Sequence, residues 1–352
     1  MRTRVIKIDN NNPQQKDIDE AISVLKKGGL VAFPTETVYG LGANSLNKKV
    51  VEKLYRVKKR PNDKNFTLLL DDVRNIDNFA VDILPAAYRL VDKFWPGPLT
   101  IILKDKESST VGLRMPKSET ALGIVKKAGF PIACPSANLS GAGDPVSAEM
   151  VIKDLDGKVE LILDAGKTEL GVPSTVVDGR SLPFKVLRKG YIEEGLIQQV
   201  GSKKRVLFVC TGNSCRSVMA KSLFEKMLKG KGRSDIEVFS AGVTAQAGTS
   251  ASLETKQLLQ EEGIDVSKHA SQRATEDMLK RSDLILVMER FQEENLSDSY
   301  SFLKNRIYLL KEFSKVKSEN LEIEDPIGRG LEIYKKVFAD IKSAVERLVD
   351  LV

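Results

Sequence analysis

At 352 residues the chain is long enough for two domains, and an apolar share of 41% is enough to build sizeable cores. The net charge of +7 is spread out, with 30 Lys+Arg against 25 Asp+Glu over residues 1–200 and 25 against 23 over the rest, which argues against a dedicated nucleic-acid binder. Three cysteines do not make a disulfide framework, and a single histidine, His269, argues against a zinc site and is expected at the surface.

In chain order, residues 18–27 read as an amphipathic helix stopped by Gly28-Gly29. Leu30-Val31-Ala32-Phe33 reads as a buried strand and leads into Pro34-Thr35-Glu36-Thr37-Val38-Tyr39-Gly40-Leu41-Gly42. Lys58-Lys59-Arg60-Pro61 and Lys64 form a compact cationic cluster. Trp95-Pro96-Gly97-Pro98-Leu99-Thr100 precedes a strand over 101–103, and Arg114 lies in a Val-Gly-Leu-Arg-Met-Pro stretch. A strand over 131–134 opens onto Pro135-Ser136-Ala137-Asn138-Leu139-Ser140-Gly141; Ser174-Thr175-Val176-Val177-Asp178 and Leu187-Arg188-Lys189-Gly190 follow. Lys58, Arg60, Lys64, Arg114 and Arg188, set among small hydroxyls and glycines, suit an anion-rich ligand. They do not by themselves name a reaction.

Together these segments make residues 1 to about 198 resemble the YrdC-type family of threonylcarbamoyl-adenylate synthases. The resemblance implies a twisted mixed sheet with surrounding helices. It implies synthesis of L-threonylcarbamoyl-AMP from L-threonine, bicarbonate and ATP, with Mg2+ on the triphosphate and pyrophosphate released. Downstream tRNA threonylcarbamoyl-transfer proteins are the implied partners, with tRNA itself a further candidate. Carried over, Thr35, Thr37, Arg114 and Ser174 belong to threonine, and Lys58, Arg60, Lys64, Thr110, Ser136, Asn138 and Arg188 to ATP. Cations there would offset the repulsion between carboxylated threonine and the α-phosphate. Leu69 stands where longer members usually carry His, and Asn65 where a Pro is common.

A short polar join near 198–204 separates domains expected at 1–202 and 203–352. Arg205-Val206-Leu207-Phe208-Val209 reads as a strand and residues 217–228 as a helix. Between them lies Cys210-Thr211-Gly212-Asn213-Ser214-Cys215-Arg216-Ser217. Strand, tight loop and helix start make an anion cradle, because backbone N–H groups at a helix N-terminus lack intrahelical partners. A cysteine at the first loop position meets a positive field that favours its thiolate, and Arg216 offers a planar fork to phosphate oxygens. Thr211, Gly212, Asn213, Ser214, Cys215 and Ser217 complete the phosphate-binding set, and Ser217 can hydrogen-bond the sulfur. Further strands are expected over 236–240, 284–288 and 307–309, with a closing helix over 330–351.

This half resembles the low-molecular-weight protein phosphatases through 209–217, Ser240-Ala241-Gly242, 282–288 and Glu324-Asp325-Pro326. The resemblance implies a small parallel sheet, a catalytic trio of Cys210, Arg216 and Asp325 with Asp325 as general acid, a phosphoprotein substrate and no cofactor. Ser214 and Ile327-Gly328 favour phosphoarginine over phosphotyrosine, since tyrosine phosphatases usually carry a bulky apolar residue and an aromatic at these places. Arsenate reductases share the fold, but no cysteine follows Cys215 to relay a disulfide. A Cys210–Cys215 bond remains open as an oxidative cap. An RNA-binding module is the alternative for the first half, and phosphotyrosine specificity for the second. No apolar leader is read at the N-terminus and no run approaches ~18 apolar residues, so a cytoplasmic chain without a membrane partner is expected.

Overall fold

The computed structural model describes residues 2–61, 65–303 and 305–352, and these form two compact units, Met1–Gly201 and Ser202–Val352. Lys64 lies outside the described residues.

The first unit is built on a mixed sheet. Its strands are β1 (Arg4–Lys7), β2 (Val31–Phe33), β3 (Gly40–Asn44), β4 (Thr67–Leu69), β5 (Ala80–Val81), β6 (Leu99–Asp105), β7 (Thr110–Arg114), β8 (Ile132–Ala133), β9 (Leu161–Asp164), β10 (Thr175–Asp178) and β11 (Lys185–Arg188). They run in the order β1-β9-β2-β3-β8-β4-β7-β6-β10-β11, with β5 beside β6. Alternation decides which helix each face receives. Val31 and Phe33 face Ile18, Ala21 and Leu25 of helix Gln15–Lys26, while Ala32 packs with Val50 and Leu54 of helix Lys48–Lys58. A third cluster joins Leu99, Ile101 and Leu103 to Ala87, Leu90 and Val91 of helix Pro85–Phe94. The first helix stops at Gly28, whose φ of 81° suits a residue without a Cβ. The short polar join is partly helical: Gln198 to Ser202 are the last turns of helix Glu194–Ser202, anchored by the buried Ile197.

The second unit has four parallel strands, β12 (Lys204–Cys210), β13 (Ile236–Gly242), β14 (Leu284–Val287) and β15 (Ile307–Leu309), in the order β13-β12-β14-β15. The inner strands β12 and β14 are buried on both faces, as a parallel sheet requires, while Phe239 on the edge strand β13 is exposed. Val206 and Phe208 pack under helices Arg216–Gly230 and Leu331–Leu348, and Leu207 and Val209 pack with Leu279 and Leu296 on the other side. The cysteine loop leaves the C-terminal end of the central strand β12, where an open parallel sheet places its ligands.

Candidate active sites

In the second unit the loop is held from inside by Asn213. Its backbone is left-handed (φ 54°), a conformation Asn tolerates, and its residue is fully buried. The Asn213 amide nitrogen donates to Ser217 Oγ (2.9 Å) and Ser240 Oγ (3.0 Å), and its Oδ1 accepts from the Gln272 N–H (2.9 Å). The Asn213 N–H points at Cys210 Sγ (3.2 Å), and Ser217 Oγ lies 3.0 Å from the same sulfur. Two donors therefore converge on Cys210, which is the arrangement a thiolate needs. Close approach also explains Gly242 at the end of β13. A Cβ there would lie 2.6 Å from the Thr211 oxygen and 2.8 Å from the Asn213 nitrogen.

Arg216 has no exposed surface. It ion-pairs with Glu289 and Asp325, and donates to the Ile323 carbonyl (2.8 Å) and to Thr211 Oγ1 (3.2 Å). Gln292 reaches both Thr211 Oγ1 (3.2 Å) and Glu289 Oε2 (3.0 Å). A guanidinium buried this deeply must be paired, and two carboxylates compensate it here. Arg216 and Asp325, far apart in sequence, are thus joined directly, and Cys210 starts the same loop that Arg216 closes. Ser214 is held by its carbonyl, which accepts from the Ser252 N–H (3.1 Å), and its hydroxyl lies 3.6 Å from Cys215 Sγ. Cys215 is buried between Ser252 Oγ (3.5 Å) and Tyr334 OH (3.4 Å), whose own titration is pushed up by burial.

His269, expected at the surface, is half-buried against the loop. Its Nε2 lies 2.7 Å from the Asn213 carbonyl oxygen, so that nitrogen carries a proton and braces the loop. Glu289, Gln292 and His269 were all missed from sequence. Only their position in the fold links them to the loop.

In the first unit the singled-out residues gather in linked groups. Arg114, on the last residue of β7, donates from Nη2 to Glu36 Oε1 (2.8 Å) and Thr37 Oγ1 (2.8 Å), and from Nε to the Gly97 carbonyl (3.3 Å). Thr35 Oγ1 sits 2.9 Å from Thr37 Oγ1 and donates to the Val38 carbonyl (2.6 Å). Arg188 grips Ser174 at its carbonyl (2.8 Å) and its hydroxyl (3.0 Å), and Ser174 Oγ meets Thr100 Oγ1 at 2.8 Å. Arg60 donates to the Asn65 carbonyl (3.0 Å) and covers the Phe66 ring at 5.1 Å. Asn65 in turn donates to the Thr110 carbonyl (2.9 Å). Lys58 Nζ is surrounded by oxygens of Ser136 and Asn138.

These cations converge electrostatically. Burial draws the Arg188 titration down, and Arg114 and Arg60 push the same way while Asp144 opposes. Burial, and then Arg60, bring Lys58 down to about 8. Clustered positive charge, offset in part by Asp144, Asp154 and Glu36, suits a polyanion. Glu36 is the acidic residue that sequence reasoning left unused. It is buried with one oxygen on Arg114 and the other without a partner.

Residues 23–190 match the Sua5/YciO/YrdC family model, described as "Telomere recombination", and residues 205–352 match the model of the low molecular weight phosphotyrosine protein phosphatases. The chain belongs to the first of these families through its N-terminal half, and its C-terminal half matches the model of the second. It is 32% identical over 205 residues to the putative threonylcarbamoyl-AMP synthase of Methanocaldococcus jannaschii, covering 54% of this chain and 95% of that one. It is 38% identical over 212 residues to the threonylcarbamoyl-AMP synthase of Pyrococcus abyssi, covering 58% of this chain and 62% of that one. This chain therefore spans about three fifths of that protein's length. A crystal structure of P. abyssi Sua5 complexed with L-threonine superposes with a TM-score of 0.54 and 28% identity, covering 82% of this chain and 100% of that one. Both expected resemblances and the two-domain α/β architecture hold. Among the described residues no helix is long and apolar enough to cross a membrane.

Proposed function

We propose that the chain carries two enzymes. The first unit makes L-threonylcarbamoyl-AMP from L-threonine, bicarbonate and ATP, in service of the proteins that transfer the threonylcarbamoyl group to tRNA. The second is a cysteine-dependent phosphoprotein phosphatase. The convergent cations Arg60, Arg114 and Arg188 support the first reading, together with membership of the family. In this reading Arg188 and Arg60 serve ATP with Ser136 and Thr110, while Arg114, Thr35, Thr37 and Ser174 serve threonine. In this reading the threonine nitrogen is carboxylated, the new carboxylate attacks the α-phosphorus, and pyrophosphate leaves. Positive charge steadies the phosphate oxygens as negative charge builds. Magnesium belongs with the triphosphate. Among the described residues no group of three or more His, Cys, Asp or Glu could hold a metal.

The two donors on Cys210 and the shared contact of Arg216 with Asp325 carry the phosphatase reading. Cys210 sulfur attacks phosphorus, Asp325 gives its proton to the departing atom, and water then cleaves the thiophosphate with Asp325 as base. Phosphoarginine is the favoured substrate. Ser214 offers a small hydroxyl at the loop, and the residue after Pro326 is an exposed aliphatic, Ile327, followed by Gly328 at φ 75°. No aromatic stands at that place to stack on a phenyl ring. Turnover on phosphoarginine and phosphotyrosine peptides side by side tests this: faster phosphotyrosine cleavage would refute it. Asp325→Asn is expected to lower kcat by about 10²–10⁴-fold with little change in phosphate affinity. The loss should be greatest for basic leaving groups and least for very acidic ones, measured as kcat across a leaving-group series.

A further inference from the structure

Residues 135–143 carry Ser136, yet they lie between β8, which ends at Ala133, and a helix that starts only at Ala148. This stretch is tied by the Ala137 N–H on the Tyr39 carbonyl (2.8 Å), by the Leu139 N–H on Asp154 Oδ2 (3.1 Å), and by Lys58, the last residue of helix Lys48–Lys58 and only 2% exposed. Its ammonium has three protons to donate. It meets the Ser136 carbonyl at 2.6 Å, the Asn138 carbonyl at 2.7 Å and Asn138 Oδ1 at 2.7 Å, with Ser136 Oγ at 3.4 Å. The Lys58 carbonyl accepts from the Ser140 N–H (2.9 Å). Asn138 ties the other side, donating to the carbonyls of Ala142 (3.2 Å) and Gly143 (3.0 Å) while its Oδ1 accepts from Ser136 Oγ (2.7 Å). Three close acceptors use up the ammonium. Turning it toward a phosphate would strand buried carbonyls, which is costly.

We propose that Lys58 and Asn138 form a brace that positions Ser136 and the 135–143 loop for the nucleotide, and that Lys58 acts through this loop and not by touching ATP. The nucleotide's place rests on the synthase reading above; the brace itself does not. Both are positioning residues.

The brace has a pH signature. Burial and Arg60 hold Lys58 down to about 8 from 10.5, with Cys134 and Asp154 acting the other way. In the folded chain the ammonium is lost as pH rises through about 8, while the unfolded chain keeps it until about 10.5. Between those values the unfolded state binds more protons, so this group's contribution to stability rises with pH. Synthase activity that falls above about pH 8 with no drop in melting temperature is the expected pattern, and it separates a loosened loop from unfolding.

The test uses the full chain and compares wild type with K58M, K58R, N138A and the double variant K58M/N138A. Amide hydrogen exchange over 136–143 and synthase kinetics are measured together, and continued protection of β9 shows that the unit remains folded. K58M and N138A are each expected to speed loop exchange about ten-fold or more and to lower kcat about 100-fold, with KM for ATP within about three-fold of wild type. K58R should fail like K58M, because a flat guanidinium cannot present three donors from one nitrogen. The double variant should be no worse than the weaker single, since both act on one brace. A K58R enzyme near wild type would overturn the proposal. So would a large rise in KM for ATP with unchanged loop exchange, the mark of a phosphate ligand. If wild type makes no pyrophosphate from ATP, the synthase reading fails. Exchange then decides the brace alone: faster in K58M and N138A upholds it, unchanged overturns it.

Discussion

Cys210→Ser is expected to abolish phosphatase turnover, by at least about a thousand-fold, while leaving phosphate and vanadate binding nearly intact. The sulfur supplies the nucleophile, and a hydroxyl in its place is far weaker. The binding elements are separate: the loop N–H groups, the fully buried Arg216 with its Glu289 and Asp325 partners, and Asn213 holding the loop open. Of these the Asn213 N–H meets the sulfur, and a serine oxygen can accept it instead. Phosphate affinity by calorimetry together with turnover on a phosphopeptide reads both halves of the expectation. Retained turnover would remove Cys210 as nucleophile. Lost binding would mean that the sulfur also shapes the cradle.

Arg188→Ala should be the most damaging change in the first unit. Arg188 makes three contacts to Ser174, a residue read as part of the threonine site, and its charge adds to those of Arg60 and Arg114. Removing it takes away a preorganised donor and unfastens Ser174 from one side. One such donor is commonly worth about 10²–10³ in kcat, and loss of positioning adds to that. Threonine- and bicarbonate-dependent pyrophosphate release should therefore fall by at least about 100-fold, with phosphatase turnover unchanged. A fall of only a few-fold would leave Arg188 as a structural residue of the β10–β11 hairpin.

How far the sequence is legible depends on the range of the interactions concerned. The cysteine loop is legible because strand, loop and helix are adjacent, and seven residues hold nucleophile and arginine together. The four strands of the second unit are legible as well, since each is a short apolar run. Their expected limits differ from the structure by a few residues at most: β13 runs on to Gly242 and the closing helix ends at Leu348. The edge strand β1 and its neighbour β9 are not legible in the sequence. Arg4 pairs with Leu161, and nothing in local periodicity reports a partner so distant. The same limit hid Glu289 and His269, whose roles arise only when β14 and the segment after β13 are folded beside the loop. Lys58 shows a different limit. Its place in a basic cluster suggests an exposed phosphate ligand, whereas the structure buries it among carbonyls.

The most direct measurement follows pyrophosphate release from ATP and phosphate release from a phosphoarginine peptide in the same preparations of wild type, Arg188→Ala and Cys210→Ser, with threonine and bicarbonate supplied together or singly. Two independent chemistries require that wild type release pyrophosphate only when both co-substrates are present. Cys210→Ser should keep that reaction and lose the phosphatase, and Arg188→Ala should do the reverse. Pyrophosphate released without threonine, or both activities lost in either variant, would contradict it.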